Sequence, residues 1–346
     1  MKLLSIIVPS YNSEKFIEDC LSSLLVGLDD KLDVIVVNDG SRDKTSELAH
    51  AFADKHSFVR VLDKENGGHG SGINEGIKLA EGLYFKVLDS DDHLDKEGLY
   101  NLIENIERHH KDECSPDVYI ADYVSVSVEN GDRTVSSLSR VLPKADSGID
   151  VFTSKAIKQM KDQEYFMMHY LYVKTALLKE TNINLIEKTF YEDNQYVYHV
   201  LKHAKTYCYL RKPIYLYSIG FTGQSVSLTS IDKNYPHQLR VNNAMIDMVS
   251  YEEFKAMDKF RRRQVLHELF IEETLTFFYI YIIPKKEKTQ AYYDHIKQFK
   301  KNNKKLFKQL KWHTHLFFIW HIPPFMRGWV TGIGYKTIGK KKGWTF

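Results

Sequence analysis

Four short apolar runs organise the first ninety residues: LLSIIVP (3–9), LDVIVVN (32–38), FVRVLD (58–63) and LYFKVLD (83–89). Each is too short for a buried helix and apolar on consecutive positions, the pattern of a strand covered on both faces. Helical patterns lie between them: one through Phe16, Cys20 and Leu24, one from about Asp43 with Leu48 and Phe52 inward, one over about 71–80. Strands alternating with helices at this interval predict βαβ units, hence an α/β fold with a mostly parallel, Rossmann-like sheet flanked by helices. Such sheets bind ligands beyond the carboxyl ends of their strands. Here those ends carry Pro9, Tyr11 and Asn12, then Asp39, then the stretch 66–72, then Asp89, Ser90, Asp91 and Asp92. All should gather on one edge.

Beyond about residue 110 the rhythm changes. DVYIADYVSVSV and RTVSSLSRVL flank Glu129, Asn130, Gly131 and Asp132, and Asn-Gly between such runs predicts an antiparallel hairpin. YLYVKTALLKE reads as strand then helix, FYEDNQYVYHVLKHA as a loop entering a helix, and CYLRKPIYLYSI as strand. From about Asp232 the pattern is helical to the end. The chain therefore divides into an α/β part, 1–230, and a helical part, 231–346. No internal repeat is visible.

With 43% apolar and 27% charged residues, the composition is that of a soluble globular protein. Cys20, Cys114 and Cys208 are far apart and form no CxxC pair, which excludes a disulfide scaffold and a cysteine-rich zinc module and fits a reducing compartment. Pro9 ends the opening apolar run well short of a signal peptide, and no run of eighteen apolar residues occurs. The expectation is a cytoplasmic protein that does not span the membrane. Its charge is uneven: residues 285–346 hold fifteen Lys and Arg against Glu287 and Asp294, a net +13, which leaves −10 for the rest of a +3 chain. An acidic body suits metal-assisted chemistry, and a basic tail suits an anionic surface.

The sharpest chemical signal is Asp89, Ser90, Asp91 and Asp92 at the end of the fourth strand. Asp-x-Asp on such a turn brings two carboxylates within reach of one hard divalent ion, Mn²⁺ or Mg²⁺, which keeps positions open for phosphate oxygens. A solvated turn, or a cap by Asp92 on the helix starting near Asp95, is the plainer alternative. Asp39 also ends a strand and could accept a nucleobase N–H or simply cap a helix. Tyr11 could stack on a base or sit at a rim. Glu192 and Asp193 open a helical pattern, where acids also complement the helix dipole.

In order, VPSYN (8–12), VNDGSRDKT (37–45), NGGHGSGINEGI (66–77), LDSDD (88–92) and YEDNQY (191–196) resemble the successive motifs of the inverting family 2 glycosyltransferases. The resemblance covers roughly residues 1–230 and implies the GT-A fold and a nucleotide-diphosphate-sugar donor, commonly a UDP-sugar. It implies that Pro9, Tyr11 and Asp39 hold the nucleobase. It places Asn12, Gly68, Asn74, Ser90 and Asp92 around the donor, Asp89 near the ribose, and Asp91, with Asp89, on the metal. Asp193, beside Glu192, becomes the general base. Inversion needs such a group on a separate element, because the acceptor hydroxyl attacks opposite the departing diphosphate. Gln224 and Ser225 resemble a segment that many relatives place over the diphosphate.

One departure stands out. Where the family often has Ala-Arg-Asn, this chain has Gly72, Ile73 and Asn74, so an arginine that commonly touches the nucleotide is missing. His69 or Lys86 could substitute, or Lys86 could snorkel to the rim. The glycine-rich stretch fits neither the dinucleotide fingerprint nor a P-loop, yet it can offer backbone N–H groups to a donor.

In the tail, Tyr292, Ile296, Phe299, Leu306 and Leu310 recur at helical spacing among Lys297, Lys300, Lys301, Lys304, Lys305, Lys308 and Lys311. Trp312, Trp320, Trp329 and then Lys340, Lys341 and Lys342 follow. A basic amphipathic helix bordered by aromatics suits peripheral binding to the inner face of the cell membrane. Docking on the catalytic body or on a second subunit, as in a homo-oligomer, is the alternative. No nucleic-acid module is recognisable. The acceptor would be a cell-surface polysaccharide or a lipid-linked glycan. A nucleotidyltransferase would carry a Gly-rich basic loop after the first strand, which PSYNSEKF lacks. A catalytically inactive, membrane-docked scaffold would not need Asp39, Asp89, Asp91 and Asp193 together.

Overall fold

A computed structural model of the 346-residue chain describes residues 1–143, 151–161, 164–220, 228–313 and 322–334. It falls into two compact units. The first holds Met1–Gln159, Phe166–Lys188 and His203–Ile219; the second holds Met160–Tyr165, Thr189–Lys202 and Gly220–Phe346.

The first unit is built on one ten-stranded sheet. Strands β1 (Leu4–Ser10), β2 (Leu32–Asn38), β3 (Val59–Asp63) and β4 (Tyr84–Val87) are the four apolar runs, and they pair in parallel. Every residue of β1, β2 and β4 is buried. Helices α1 (Ile17–Ser22), α2 (Thr45–Ala53) and α3 (His69–Leu79) connect them. In α2 the fully buried positions are Thr45 and Ala49, while Leu48 and Phe52 are half-buried, a slight rotation from the expected inward face.

Strand β5 (His93–Leu94) and helix α4 (Lys96–Lys111) follow. The cap of α4 is Asp95, whose carboxylate accepts the Gly98 N–H at 2.8 Å, and not Asp92. Strands β6 (Val118–Ser127) and β7 (Arg133–Ser136) form the hairpin expected at Asn130 and Gly131, and Gly131 takes the left-handed φ of +76° that the turn requires. After β8 (Val151–Thr153), strand β9 (Leu171–Lys174) runs antiparallel to both β4 and β6, and α5 (Thr175–Glu180) follows it. Strand β10 (Thr206–Ile219) lies parallel to β6, with its register broken at Pro213. Proline cannot donate to the ladder, so the break falls where the sequence demands it.

Helix α3 packs against β1 through glycines. A Cβ on Gly72 would lie 3.1 Å from Pro9 Cβ, and one on Gly76 only 2.3 Å from Ile7 Cγ2.

The second unit is helical: α6 (Glu192–His203), α7 (Leu228–Asp247), α8 (Tyr251–Ala256), α9 (Lys259–Tyr281), α10 (Lys286–Asn302), α11 (Lys304–His313) and α12 (Pro324–Gly334). The segment carrying Glu192 and Asp193, expected in the α/β part, therefore packs with the C-terminal helices, and the helical unit resumes at Gly220 rather than after 230.

The tail corrects one expectation. Its apolar stripe faces protein, not lipid: Phe299, Leu306, Phe307 and Leu310 join Val241, Met245, Val265 and Leu269 in one core, and Tyr292 joins Phe277, Ile280 and Tyr281 in another. Burying that stripe in the unit's own core satisfies it without a membrane. Helix α12 is fastened by Arg327, which donates to the Tyr281 hydroxyl at 2.7 Å, and by Thr331, which donates to the Tyr281 carbonyl at 2.9 Å. Lys297, Lys300, Lys301, Lys304, Lys305 and Lys308 stay exposed, as does Trp329. Trp320 and Lys340, Lys341 and Lys342 lie outside the described residues, and the described helices include none long and apolar enough to cross a membrane.

Gly76→Ala should destabilise the protein by about 1–3 kcal/mol, the usual cost of overpacking, because Ile7 sits inside β1 and has nowhere to yield. Chemical denaturation would show the midpoint falling, whereas Gly131→Ala should act only through its own turn, since open space surrounds that Cβ.

Candidate active site at the carboxyl edge of the sheet

Asp39, the residue after β2, is buried, and it organises the edge. One carboxylate oxygen accepts the Lys64 ammonium at 2.8 Å and the Gly67 N–H at 2.8 Å; the other accepts the Gly68 N–H at 2.7 Å. Its carbonyl takes the Asn66 side-chain amide at 2.9 Å, and its own N–H reaches the Ser10 carbonyl at the end of β1 at 2.8 Å. Two successive amides can converge on one carboxylate only if the loop turns sharply. Gly68 does so with φ of +85°, and a Cβ on Gly67 would fall 2.4 Å from Ser71 Oγ. The glycine-rich stretch is thus a loop wrapped on Asp39, leading directly into α3.

The first residue of α3 continues the chain of contacts. His69 Nε2 lies 3.0 Å from Asp89 Oδ1, just past β4. Burial works to raise the Asp89 carboxyl, but the His69 hydrogen bond together with the nearby basic groups outweighs it and holds the carboxyl below the usual range. Asp91 is half-buried, and there burial and then the Asp89 charge outweigh its own backbone N–H and His69 and push it up to about 6. Ser90 Oγ pairs with Ser13 Oγ at 2.7 Å. Asn12, with a left-handed φ of +52°, accepts the Arg42 N–H at 2.9 Å and donates its own N–H to Ser41 Oγ at 3.0 Å, tying the ends of β1 and β2 together. Tyr11 beside it is 47% exposed, a ring open to stacking. Pro9 lies against Gly72 of α3.

Other expected residues are spoken for. Asp92 is fully buried, accepting the Tyr215 hydroxyl at 2.6 Å and the Ser218 N–H at 2.7 Å. Burial, then the charges of Asp89 and Asp91, hold its carboxyl well above the usual range. It fastens β10 to the acidic turn. Asn74 spends its amide on Leu185, donating to the carbonyl at 2.9 Å and accepting the N–H at 2.8 Å. Ile73, in the position of the missing arginine, is fully buried. Lys86 neither reaches the rim nor substitutes for it: its ammonium is fully buried and donates to the carbonyls of Met168 at 2.9 Å and His169 at 2.8 Å, between the rings of Tyr172 and Tyr215. Gln224 and Ser225 lie outside the described residues.

His169 gave no sequence signal, yet it belongs here. Its ring stacks on Tyr217, is buried, and carries two nitrogens without a partner. A ligand atom of His169 lies within 4.8 Å of those of Asp89 and Asp92. Burial lowers its pKa to about 4, so it is neutral at pH 7, the form that binds a cation. The donor set fits a divalent ion on two grounds. Orphaned imidazole nitrogens face carboxylates, and Asp91 is a desolvated carboxyl that a cation would stabilise in its charged form. The structure groups Asp89 with Asp92 and His169, not with Asp91, among the described residues.

The helical unit holds the other expected residues. Glu192 is buried and Asp193 half-buried at the start of α6, preceded by Tyr191 with a left-handed φ of +71°. Such backbone in a non-glycine residue costs about 1–3 kcal/mol and persists only where the surroundings enforce it.

Residues 5–170 match the family model "Glycosyl transferase family 2". Over 221 residues the chain is 29% identical to the uncharacterized glycosyltransferase EpsJ of Bacillus subtilis, covering 62% of this chain and 60% of that one. It is 36% identical over 102 residues to the poly-beta-1,6-N-acetyl-D-glucosamine synthase of Staphylococcus aureus, covering 30% of this chain and 25% of that one. The chain thus spans at most 60% of the length of either relative. Among solved structures, S. aureus TarS 1–349 superposes with a TM-score of 0.62 at 23% identity, over 86% of this chain and 80% of that one. Its complex with UDP-GlcNAc gives a TM-score of 0.64. Residues 5–170 of this chain are therefore a glycosyl transferase family 2 domain, with the GT-A fold.

Proposed function

We propose that the protein is a metal-dependent, inverting glycosyltransferase that moves a hexose or N-acetylhexosamine from a UDP-sugar to a hydroxyl of a cell-surface polysaccharide or lipid-linked glycan. The observation that carries this reading is the continuous set of contacts from Asp39 through Gly67 and Gly68 to His69 and Asp89, which joins the ends of three parallel strands. The N-acetylglucosamine in the names of two similar proteins makes UDP-GlcNAc the first donor to test.

In this reading Tyr11 stacks on the base and Pro9, Asn12 and Asp39 shape its pocket. Gly68, Ser90 and the segment with Gln224 and Ser225 line the donor, while Asn74 and Asp92 brace it from behind. Asp91 and Asp89 would hold Mn²⁺ or Mg²⁺, with His169 able to supply a further donor atom. The bound ion would neutralise charge on the departing diphosphate. Asp193 takes the proton from the acceptor hydroxyl, and Glu192 anchors the turn that presents it. The exposed lysines of α10 and α11, with Trp329, would attract an anionic membrane face by charge. The lack of a Gly-rich basic loop after β1 favours this reading over a nucleotidyltransferase, and the presence of Asp39, Asp89, Asp91 and Asp193 together favours it over an inactive scaffold.

Asp91→Ala should abolish metal-stimulated UDP release from UDP-GlcNAc; undiminished release would remove the metal assignment. Asp193→Asn should bind the donor as the parent does, by calorimetry, and lose transfer by a factor of about a hundred to ten thousand, the usual contribution of a general base. A raised Asp91 pKa means that its carboxyl is protonated below about pH 6, and a cation needs the carboxylate. Mn²⁺ affinity measured by titration should therefore be steady at pH 7–8 and fall on acidification through pH 6.

A further inference from the structure

Buried polar residues recur at helical spacing on two facing helices of the second unit. On α7 they are Asn234, Gln238 and Asn242; on α9 they are Glu268, Glu272 and Thr276, with Tyr279 one turn on. Both stripes lie where an apolar core would be expected. The Gln238 amide donates to Glu272 at 2.6 Å and to Thr276 at 3.4 Å, and Asn242 donates to Thr276 at 2.9 Å. Deeper in the unit, Glu273 of α9 pairs with His295 of α10 at 2.8 Å, and His295 in turn meets Asn243 at 2.8 Å.

The seam ends at the first turn of α6. Asn194 hydrogen-bonds Glu272, and Asp193 lies close enough for its charge to act on that carboxyl. Tyr191 hydrogen-bonds Tyr279 and Asn234, and the rings of Tyr191 and Tyr279 meet edge to face at 5.2 Å. These contacts hold the side chain of a residue whose backbone is left-handed, at φ of +71°. A polar seam of this kind costs stability relative to a hydrophobic one, and such costs are commonly tied to specificity or function.

We propose that Glu272 is a positioning residue for Asp193: it braces the opening turn of α6 through Asn194, while Tyr279 clamps Tyr191 on the other side. The proposal rests on the reading of Asp193 as the general base. Burial, then the charges of Asp193, Glu273 and Glu268, raise the Glu272 carboxyl well above its usual range, which agrees with a neutral group. Among the described residues, the charged and titratable groups facing it are Asp193 from α6 and Glu268, Glu273 and Tyr279 from its own helix, with Glu273 paired to His295 of α10; α7 presents the uncharged Gln238.

The test compares Glu272→Gln with Glu272→Asp in the full-length protein, following UDP release from UDP-GlcNAc with Mn²⁺ across pH. Glutamine reproduces the shape and neutrality of the carboxylic acid. It should keep kcat within about threefold and leave the acid limb of the kcat profile in place. Aspartate keeps the acid but is one methylene short. It should lose kcat by about ten- to a hundredfold, with KM for UDP-GlcNAc within about twofold, as expected when a catalytic group is misplaced but the donor still binds.

Two results would overturn the proposal. One is parental kcat in Glu272→Asp. The other is an acid limb moved down by about one unit or more in Glu272→Gln, because removing a negative neighbour lowers the Asp193 pKa only if Glu272 had been charged. A structural role alone would lower the melting temperature of both variants and leave kcat of the folded enzyme unchanged. Asp193→Asn, assayed alongside, separates the two readings. If it is active, the base assignment fails; if it is inactive while Glu272→Asp is unimpaired, only the brace fails.

Discussion

A single buried carboxylate holds the sheet edge in its working shape. Asp39 accepts two consecutive backbone N–H groups and one ammonium, so the loop after β3 is pinned to the end of β2. From that loop α3 starts in a fixed place, and its first residue meets Asp89 beyond β4. Fixed backbone donors need no reorganisation when a ligand arrives, which is why such an edge can be pre-arranged for a polar substrate. The cost falls on the sequence: Gly67 and Gly68 have no room or no freedom for a side chain.

The helical unit solves a different problem. Its apolar clusters provide the stability, and they absorb the apolar stripe of α10 and α11. Running through it is a hydrogen-bonded seam that leads to the turn with Glu192 and Asp193. The contrast is informative. Hydrophobic packing tolerates small shifts, whereas a chain of directional bonds fixes where a carboxylate points.

Much was legible in the sequence. The four strands, the Asn-Gly hairpin and the helix after YED follow from periodicity and turn chemistry, which are local. The acids on strand-end turns were legible for the same reason, since a carboxylate after a buried strand has few places to go. What escaped was which of those acids had already found a partner. Asp92 is held by Tyr215, 123 residues away, and Asn74 by Leu185, 111 residues away. His169 carries no motif; it joins the edge because β9 inserts antiparallel between β4 and β6.

The order of strands and helices, the parallel pairing of the first four, and the gathering of Asp39, Asp89 and Asp91 at one edge are written in neighbouring residues. Repeat spacing and strand direction suffice to state them. Only the folded chain decided that Lys86 lies beneath the site rather than at its rim, that the tail's apolar face is covered by protein, and that the YED turn packs with the C-terminal helices. Those outcomes depend on contacts between distant segments, whose energies are set by burial and partner geometry and leave no periodic trace in the chain.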